Sequence, residues 1–187
     1  MQHTSDVIHG RSLLKRALKN DLDALKTIHD QFYPVVYKYV LYRLNDPVTA
    51  EDITSEVFTR LIETLQSPSK KPRDLRRWLF GVAHNIVVDY QRQHYRYQWS
   101  ALNTEQPLIA DDNTDPVSLL EGSMQIQALY SALNKLKPEQ REVLALRFGA
   151  ELSTKVTANI MHKSVNAVKV LQYRALSALK NILESWK

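Results

Sequence analysis

The segment MHKSVNAVKVLQYRAL, Met161 to Leu176, brings cations, an amide and a phenol together at helical spacing. Between Ser164 and Lys180 there is no Asp or Glu, whereas a helix that only faces solvent usually mixes charges of both signs. One side of the helix carries Asn166, Lys169, Val170, Tyr173, Arg174, Ser177 and Lys180. Such a face offers phosphate contacts and base-edge hydrogen bonds together. The segment therefore predicts nucleic-acid binding, and the alternative is a solvated basic helix, which is common.

The opposite side of this helix is apolar and must pack against a neighbouring element. It carries Val168, Ala175, Leu179 and Ile182, flanked by Val165, Leu171 and Leu176. Ser164 is predicted to cap its N-terminus. A shorter helix within ELSTKVTANIMH, capped by Ser153, precedes it across a tight turn. Two short helices with a basic second member are typical of a helix-turn-helix.

The remaining elements are also predicted to be helical. KPEQREVLALRFG predicts a helix capped by Gly149, and residues 123–136 predict another. In the first half, apolar residues recur at three-to-four spacing over 22–39, in NDPVTAEDITSEVFTRLIETL and in DLRRWLFGVAHNIVVDYQRQHYRY. Pro34 predicts a bend or restart, and Asp74 a helix cap. Alternating β-branched runs are scarce, so an all-α chain is predicted.

Composition excludes several classes of function. The 187-residue chain has no Cys, which excludes disulfides and thiolate metal sites. Its 6 His show no paired ligand spacing, and the sequence has neither a glycine-rich phosphate loop nor a nucleophile motif. We therefore expect no enzymatic activity, no metal and no cofactor. No apolar run reaches the roughly 18 residues of a membrane span, and the N-terminus lacks a signal-peptide core, so a soluble, intracellular protein is expected.

Charge divides the chain into three parts. The formal net charge is +5, yet residues 101–123 contain five acids and no Lys or Arg. Proline, Asn and Asp concentrate in that segment. The sequence thus predicts two basic helical domains, 1–100 and 124–187, joined by a flexible acidic linker at 101–123, with the helix-turn-helix in the C-terminal domain. Two basic domains favour a polyanionic partner.

Two stretches carry a family resemblance. LNKLKPEQREVLALRFGAELSTKVTANIMHKSVNAVKVLQYRALSALK resembles region 4 of bacterial sigma factors, and AEDITSEVFTRLIE followed by LRRWLFGVAHNIVVDYQRQ resembles their region 2. Both occur in order with only a short linker, so the whole is similar to the extracytoplasmic-function (ECF) group. The resemblance implies a cytoplasmic bacterial factor that binds core RNA polymerase, recognises promoter minus-35 and minus-10 elements, helps to melt DNA and initiates transcription.

The resemblance also implies which residues of the first domain act. Binding to the β′ clamp helices of core polymerase is expected from Asp52, Ser55, Glu56 and Thr59. Without the resemblance, these residues would be interpreted as an ordinary solvated acidic face. A divalent-metal site is a further alternative, but no second cluster of ligands accompanies it. Contact with the minus-10 element is expected from Lys70, Lys71, Arg73, Trp78, His84, Asn85, Arg92 and Arg96. The break SPSKKPRD lies where the family traps a flipped base, and Trp78 is as compatible with a core position as with DNA contact.

In the second domain the resemblance places minus-35 contacts at Ser164, Asn166, Lys169, Val170, Tyr173 and Arg174. His162 stands where the family's turn usually carries a glycine, so it is expected in the left-handed backbone region unless the turn differs. Lys155, Val156 and Thr157 replace an acid pair and a branched residue, which indicates looser or shifted packing of the helix before the turn.

Two other functions stay open at this point. One is a sigma-like protein that binds polymerase without initiating transcription, and the other is a helix-turn-helix regulator that acts alone. The acidic linker, with Asp111, Asp112 and Asp115, is expected to thread a polymerase channel in place of nucleic acid. The family further implies control by a separate anti-sigma factor, and the lack of a long apolar run predicts no insertion into the membrane.

Overall fold

A computed structural model describes residues 12–68, 71–102 and 124–185, with side chains except at 95–102 and 124–127. Within these ranges every regular element is helical, which confirms the predicted all-α class. The α-helices are α1 (12–17), α2 (Leu22–Leu44), α3 (Pro47–Gln66), α4 (Leu75–Leu102), α5 (Met124–Asn134), α6 (Pro138–Leu144), α7 (Thr154–Ile160) and α8 (Val165–Glu184). A π-helical turn, Ala145–Gly149, extends α6. The predicted linker contacts lie outside the described residues.

We call α1–α4 the first module and α5–α8 the second module. Polar caps define where the helices of the first module begin and end. The Asp21 carboxylate accepts a hydrogen bond from the Ala24 amide at 3.1 Å and starts α2. Asn45 ends α2 in the left-handed region with φ 56°, and Asp46 then caps α3. The predicted cap of α4 is confirmed, because Asp74 accepts from the Arg77 amide at 2.9 Å. Helix α2 runs uninterrupted through Pro34, without the predicted restart.

The helix-turn-helix forms as the sequence predicts. Ser153 caps α7, and Ser164 caps α8 by accepting from the Ala167 amide at 3.1 Å. Between them, His162 adopts φ 52°, which confirms the expected left-handed conformation. The Lys163 amide donates to the Ala158 carbonyl at 2.9 Å and closes the turn. The left-handed conformation costs a non-glycine residue roughly 1–2 kcal/mol of free energy. The hydrogen bond that closes the turn holds His162 in this conformation.

The predicted cap at Gly149 is wrong. The helix begun by α6 continues through Gly149 as a π turn, and Ala150 is the capping residue. The Ala150 amide donates to the Ala145 carbonyl at 2.8 Å, a bond five residues long. Gly149 does not adopt a positive φ, so it does not end a helix in the left-handed manner. It lies against the ring of Tyr42 instead, where an added Cβ would be 3.4 Å from the nearest ring carbon.

Two apolar clusters make up the core. The second cluster lies under the helix-turn-helix and includes Leu133, Val143, Ala158, Val168 and Ala175. The first fills the space between α2, α3 and α4, and it also takes in residues of the second module, namely Tyr130, Ala145, Leu146, Ala150, Leu152 and Ile160. Partly buried Val156 and Met161 pack on the same cluster. The two predicted domains therefore lie directly against each other.

None of the helices in the described ranges combines the length and the hydropathy that crossing a bilayer requires.

Replacing Val168 by alanine is expected to destabilise the protein by about 2 kcal/mol, because Val168 is 0% exposed and its loss leaves a cavity under α8. The measurement is the free energy of unfolding in urea, followed by circular dichroism. Val170→Ala is the matched control, since Val170 lies on the same helix but is 49% exposed. Its effect should stay within about 0.5 kcal/mol, and equal losses in both variants would contradict the assignment of faces.

Candidate nucleic-acid interface

The polar side of α8 forms one continuous exposed surface. Asn166, Lys169, Val170, Tyr173 and Arg174 are all exposed there, with Tyr173 at 74%; we call these five residues the recognition face. Val168 and Ala175, on the other side, are fully buried. Leu176, predicted to flank the apolar side, is 41% exposed. Ser164 serves as the cap of α8, so its hydroxyl is engaged with the helix backbone.

Side chains from neighbouring elements fix the position of α8. Arg147, in the π turn, donates to the Gln172 side chain at 3.1 Å and to the Leu152 carbonyl. Lys163, in the turn before α8, forms an ion pair with Glu139 at 2.9 Å. These contacts join α8 to the preceding elements without using any residue of the recognition face. The face is therefore held in place with its cations, amide and phenol turned to solvent.

The predicted minus-10 residues do not all lie together. Trp78, Asn85 and Arg92 recur every seven residues along α4 and so share one side of that helix. Asn85 and Arg92 are exposed, and Arg92 pairs with Asp89 at 3.4 Å. Trp78 is half-buried and packs on the first core cluster, as its alternative interpretation allowed. Exposed Arg73 precedes α4.

Lys71 and His84, from the same predicted set, have partners within the protein. The Lys71 ammonium donates to the carbonyls of Thr64 at 3.2 Å, Leu65 at 2.6 Å and Ser67, so it closes the C-terminal end of α3. The His84 ring lies against a carboxylate of the second module, described below. Lys70 and the side chain of Arg96 lie outside the described residues.

The acidic residues predicted to bind polymerase share one side of α3. Asp52, Ser55, Glu56 and Thr59 are all exposed there, at the three-to-four spacing of a helix face. Glu56 pairs with Arg60 at 2.5 Å. The Thr59 hydroxyl donates to the Ser55 carbonyl at 3.0 Å. Opposite them, Ile53 and Val57 are buried in the core, so α3 presents this polar face outward.

A buried group of four polar side chains joins the two modules. Glu142 of α6 accepts a hydrogen bond from the Tyr39 hydroxyl at 2.6 Å, and the same carboxylate oxygen lies 3.2 Å from His84 Nδ1. The other oxygen pairs with Arg43. Arg43 and Glu142 are only 4% and 3% exposed. We call Tyr39, Arg43, His84 and Glu142 the Glu142 cluster.

The electrostatics of the Glu142 cluster favour an ionised carboxylate. Burial raises the pKa of Glu142, but the charge of Arg43 and the hydrogen bonds from His84 and Tyr39 together outweigh burial, and the pKa lies below its ordinary value. Burial, with the adjacent Glu142 charge, raises the pKa of Tyr39 well above its ordinary value. The Tyr39 hydroxyl therefore stays protonated and donates a hydrogen bond to the Glu142 carboxylate.

The pairing of these four residues is not evident from the sequence, although the sequence contains a signal for buried charges. Arg43 lies on the same stripe of α2 as the buried residues Val36, Tyr39 and Val40. Glu142 stands beside the buried residues Val143 and Leu144. A charge on an apolar stripe indicates a buried, paired group, but spacing alone could not pair residues so far apart in the chain.

The described residues contain no group of three or more His, Cys, Asp or Glu side chains placed to hold a metal ion. This holds for the acidic side of α3 as well, where the metal site was an alternative. The exposed faces of α3, α4 and α8 present charged, hydrogen-bonding and aromatic side chains.

Comparison with known proteins assigns a family to each module. Residues 28–97 match the model for sigma-70 region 2, and residues 126–179 match the model for sigma-70 region 4. The ECF RNA polymerase sigma factor BldN of Streptomyces coelicolor is 34% identical over 181 residues, which cover 96% of this chain and 67% of BldN. RNA polymerase sigma factor YlaC of Bacillus subtilis is 27% identical, covering 87% of this chain and 94% of YlaC.

Solved structures show the same fold. The sigma factor RpoE of Bartonella quintana, in complex with the anti-sigma factor NepR, superposes with a TM-score of 0.68 at 21% identity and covers 85% of this chain and 96% of its own. CnrH, in complex with the cytosolic domain of CnrY, also superposes with a TM-score of 0.68, at 20% identity, over 94% of this chain and 97% of its own.

The stabilisation supplied by Glu142 is expected to depend on pH. Its folded-state pKa lies below the ordinary 4.5, so the contribution is complete above that pH and is lost as pH falls through the lower folded value. At neutral pH, Glu142→Gln should cost about 3 kcal/mol, because it leaves Arg43 buried without a counterion. In urea unfolding, the difference from the parent should shrink as the pH is lowered toward and below 4.5.

Glu139→Gln is the matched control for this measurement, because Glu139 lies on the same helix with a side chain 64% exposed. Its substitution should change the free energy of unfolding by no more than about 1 kcal/mol. A difference between Glu142→Gln and the parent that stays constant with pH would show that the carboxylate's ionisation does not contribute.

Proposed function

Because the chain belongs to the ECF group of RNA polymerase sigma factors, we propose that its exposed faces divide the work of promoter recognition between the two modules. The chain is a transcription initiation factor and not an enzyme: it binds core polymerase and recognises promoter DNA. We assign the minus-35 element to α8, the minus-10 element to α4, and core polymerase to α3.

The recognition face is the observation that carries this proposal. It presents Lys169 and Arg174 for phosphates, with Asn166 near the start of α8, where side chains of a recognition helix usually reach base edges. Val170 and Tyr173 are apolar or aromatic and suit contact with a thymine methyl group. The absence of acids between Ser164 and Lys180 favours approach to the phosphate backbone.

For the minus-10 element, the side of α4 that carries Trp78, Asn85 and Arg92 supports the proposal. An aromatic ring, an amide and a guanidinium in a row suit a strand whose bases have left the duplex stack. Arg73 would add a backbone contact at the start of α4. Lys71 would contribute to minus-10 binding only indirectly, because its ammonium is hydrogen-bonded to carbonyls at the C-terminal end of α3.

For core polymerase, the exposed side of α3 supports binding through Asp52, Ser55, Glu56 and Thr59 to the β′ clamp helices. We also propose a cytoplasmic location, because core RNA polymerase acts there in bacteria. An anti-sigma factor is a further proposed partner, since the neighbouring structure of the sigma factor RpoE is a complex with the anti-sigma factor NepR.

Charge reversal at Asp52 and Glu56 is expected to abolish co-purification with core polymerase and run-off transcription from genomic DNA fragments. Both carboxylates are exposed on α3, so the fold should stay helical by circular dichroism while the contact changes from attraction to repulsion. Asp30→Lys, an exposed acid on α2, is the control.

Unchanged co-purification after both reversals would refute the α3 assignment. Co-purification of the parent protein without any run-off product would instead support the alternative of a sigma-like protein that does not initiate transcription.

Alanine substitutions on the recognition face are expected to separate positioning from base recognition. Lys169→Ala should lower the slope of log affinity against log salt by about one unit, because one phosphate contact is lost. Asn166→Ala should keep that slope and relax preference at one base pair by roughly 1–3 kcal/mol. The measurement is titration of a fragment selected by run-off transcription, at several salt concentrations.

Lys26→Ala controls for the loss of net charge, since Lys26 is exposed on α2, far along the chain from α8. It should leave both the salt slope and the base preference unchanged. If Lys169→Ala keeps the parent's slope and Asn166→Ala keeps the parent's preference, α8 does not bind the minus-35 element through this face.

A further inference from the structure

The C-terminal end of α3 lacks the two features that close α2. Helix α2 ends at Asn45 in the left-handed backbone region, and Arg43 lies in its last turn. Helix α3 has no basic residue in its last turn, and its capping residue, Ser67, has an extended backbone with φ −64°. The Ser67 amide donates to the Glu63 carbonyl at 2.9 Å, which leaves the carbonyls after Glu63 in need of other donors.

Lys71 supplies these donors from the segment that follows the helix. Its ammonium donates to the carbonyls of Thr64 at 3.2 Å, Leu65 at 2.6 Å and Ser67. Because an ammonium has three N–H donors, the three carbonyls engage all of them. The positive charge also lies at the negative end of the helix dipole, where it is favourable. Lys71 therefore has no N–H group left to donate to a phosphate.

Two further contacts fix the chain around Lys71. Pro72, the next residue, is buried although it lies between two helices. The Asp74 carboxylate accepts a hydrogen bond from the Arg77 amide at 2.9 Å and begins α4. This short segment is thus attached to the end of α3 by one side chain and to the start of α4 by another. Between the two attachments, Arg73 is exposed.

The same segment adjoins the side of α4 that is proposed to bind the minus-10 strand. Trp78 lies on that side one turn after Asp74, and its amide donates to the Asp74 carbonyl at 3.0 Å. The backbone that Lys71 holds therefore sets the direction in which Arg73 and the first turn of α4 meet a strand. A surface that is ordered before binding loses less conformational entropy on binding than one that the ligand must order.

We propose that Lys71 is a positioning residue for recognition of the minus-10 strand, because it holds residues 71–74 in the binding conformation without contacting DNA itself. This inference rests on the proposed function, which assigns that strand to α4. When only a fraction of the molecules has the segment in place, the apparent dissociation constant rises as the inverse of that fraction. Removal of the ammonium should thus weaken binding of the strand without removing a phosphate contact.

Lys71→Met tests this inference, because methionine keeps most of the apolar length of lysine and removes the ammonium. The assay uses holoenzyme, formed from the full chain and purified bacterial core RNA polymerase, with a promoter fragment selected by run-off transcription. The first probe has the nontemplate strand of the minus-10 element unpaired, and the second is a duplex that contains only the minus-35 element. Lys71→Met should weaken binding of the first probe about tenfold and leave the second unchanged. The slope of log affinity against log salt should stay that of the parent.

Arg73→Met is the contrasting variant, because Arg73 is exposed on the same segment and is proposed to contact the backbone of the strand. It should lower the salt slope for the first probe by about 0.7, the value for one phosphate of a single strand. Lys26→Met, which removes an exposed lysine on α2, is the control for net charge and should bind both probes as the parent does.

Lys71→Arg keeps the positive charge and changes the geometry of the donors. Arginine can replace lysine at a phosphate, but its donors are spread over the three nitrogens of a planar group. The three carbonyls at the end of α3 instead converge on one nitrogen. We expect the affinity of Lys71→Arg for the first probe to lie between those of the parent and Lys71→Met. This variant keeps the test decisive if Lys71→Met fails to fold.

Amide hydrogen exchange in the free protein measures the closing of α3 without DNA or polymerase. In Lys71→Met the Ser67 amide, bonded to the Glu63 carbonyl, should exchange about tenfold faster, because the last turn of α3 opens more often. The Ala50 amide, bonded to the Asp46 carbonyl at the other end of α3, should keep the rate of the parent.

Several outcomes would overturn the inference or its premise. A salt slope that falls in Lys71→Met as it does in Arg73→Met would show that the ammonium contacts a phosphate. Equal losses on both probes, or faster exchange of both amides, would show a general loss of stability. Parent-like affinity of the Lys71 variants for the first probe would show that the segment needs no such support. Failure of the parent holoenzyme to bind either probe would refute the proposed function, and this inference with it, while the exchange rates would still report whether Lys71 closes α3.

Discussion

The Glu142 carboxylate imposes the constraint on which the arrangement of the two modules depends. A buried carboxylate is tolerated only if cations and hydrogen-bond donors surround it, and here α2 and α4 provide all three partners. Because α6 carries Glu142, the helices that follow it are placed relative to the first module. The π turn adds to this effect by directing Ala145 and Leu146 into the first core cluster.

Much of the fold was predictable because it is encoded locally. Three-to-four spacing predicted the helices, and side-chain caps at Ser153, Ser164 and Asp74 were confirmed. The outward direction of the recognition face also followed from spacing, since helical geometry alone opposes it to Val168. The partner of each exposed face stays a prediction, because spacing determines which side chains are exposed and not what binds them.

The remainder depends on contacts between residues distant in sequence. Arg43 and Glu142 each stand out on an apolar stripe, yet nothing local pairs them. Lys71 looked like a cation available for DNA, but the open carbonyls at the end of α3 lie within its reach. Gly149 resembled a helix cap and instead continues the helix as a π turn that lies against the ring of Tyr42. For each of these residues, contacts with residues distant in sequence determine its role, and neither composition nor spacing identifies those contacts.

The two surfaces proposed to bind DNA differ in their accessibility within the structure. The recognition face of α8 is fully exposed, whereas His84 on α4 is only 14% exposed and faces Glu142. The neighbouring Asn85 stays exposed, so α4 is covered along one side only. A nonspecific electrostatic encounter with duplex DNA through α8 is therefore compatible with the arrangement of the two modules in the structure. Contact between DNA and His84 would require the second module to move, whereas Asn85 and Arg92 on the same helix are exposed without any such movement.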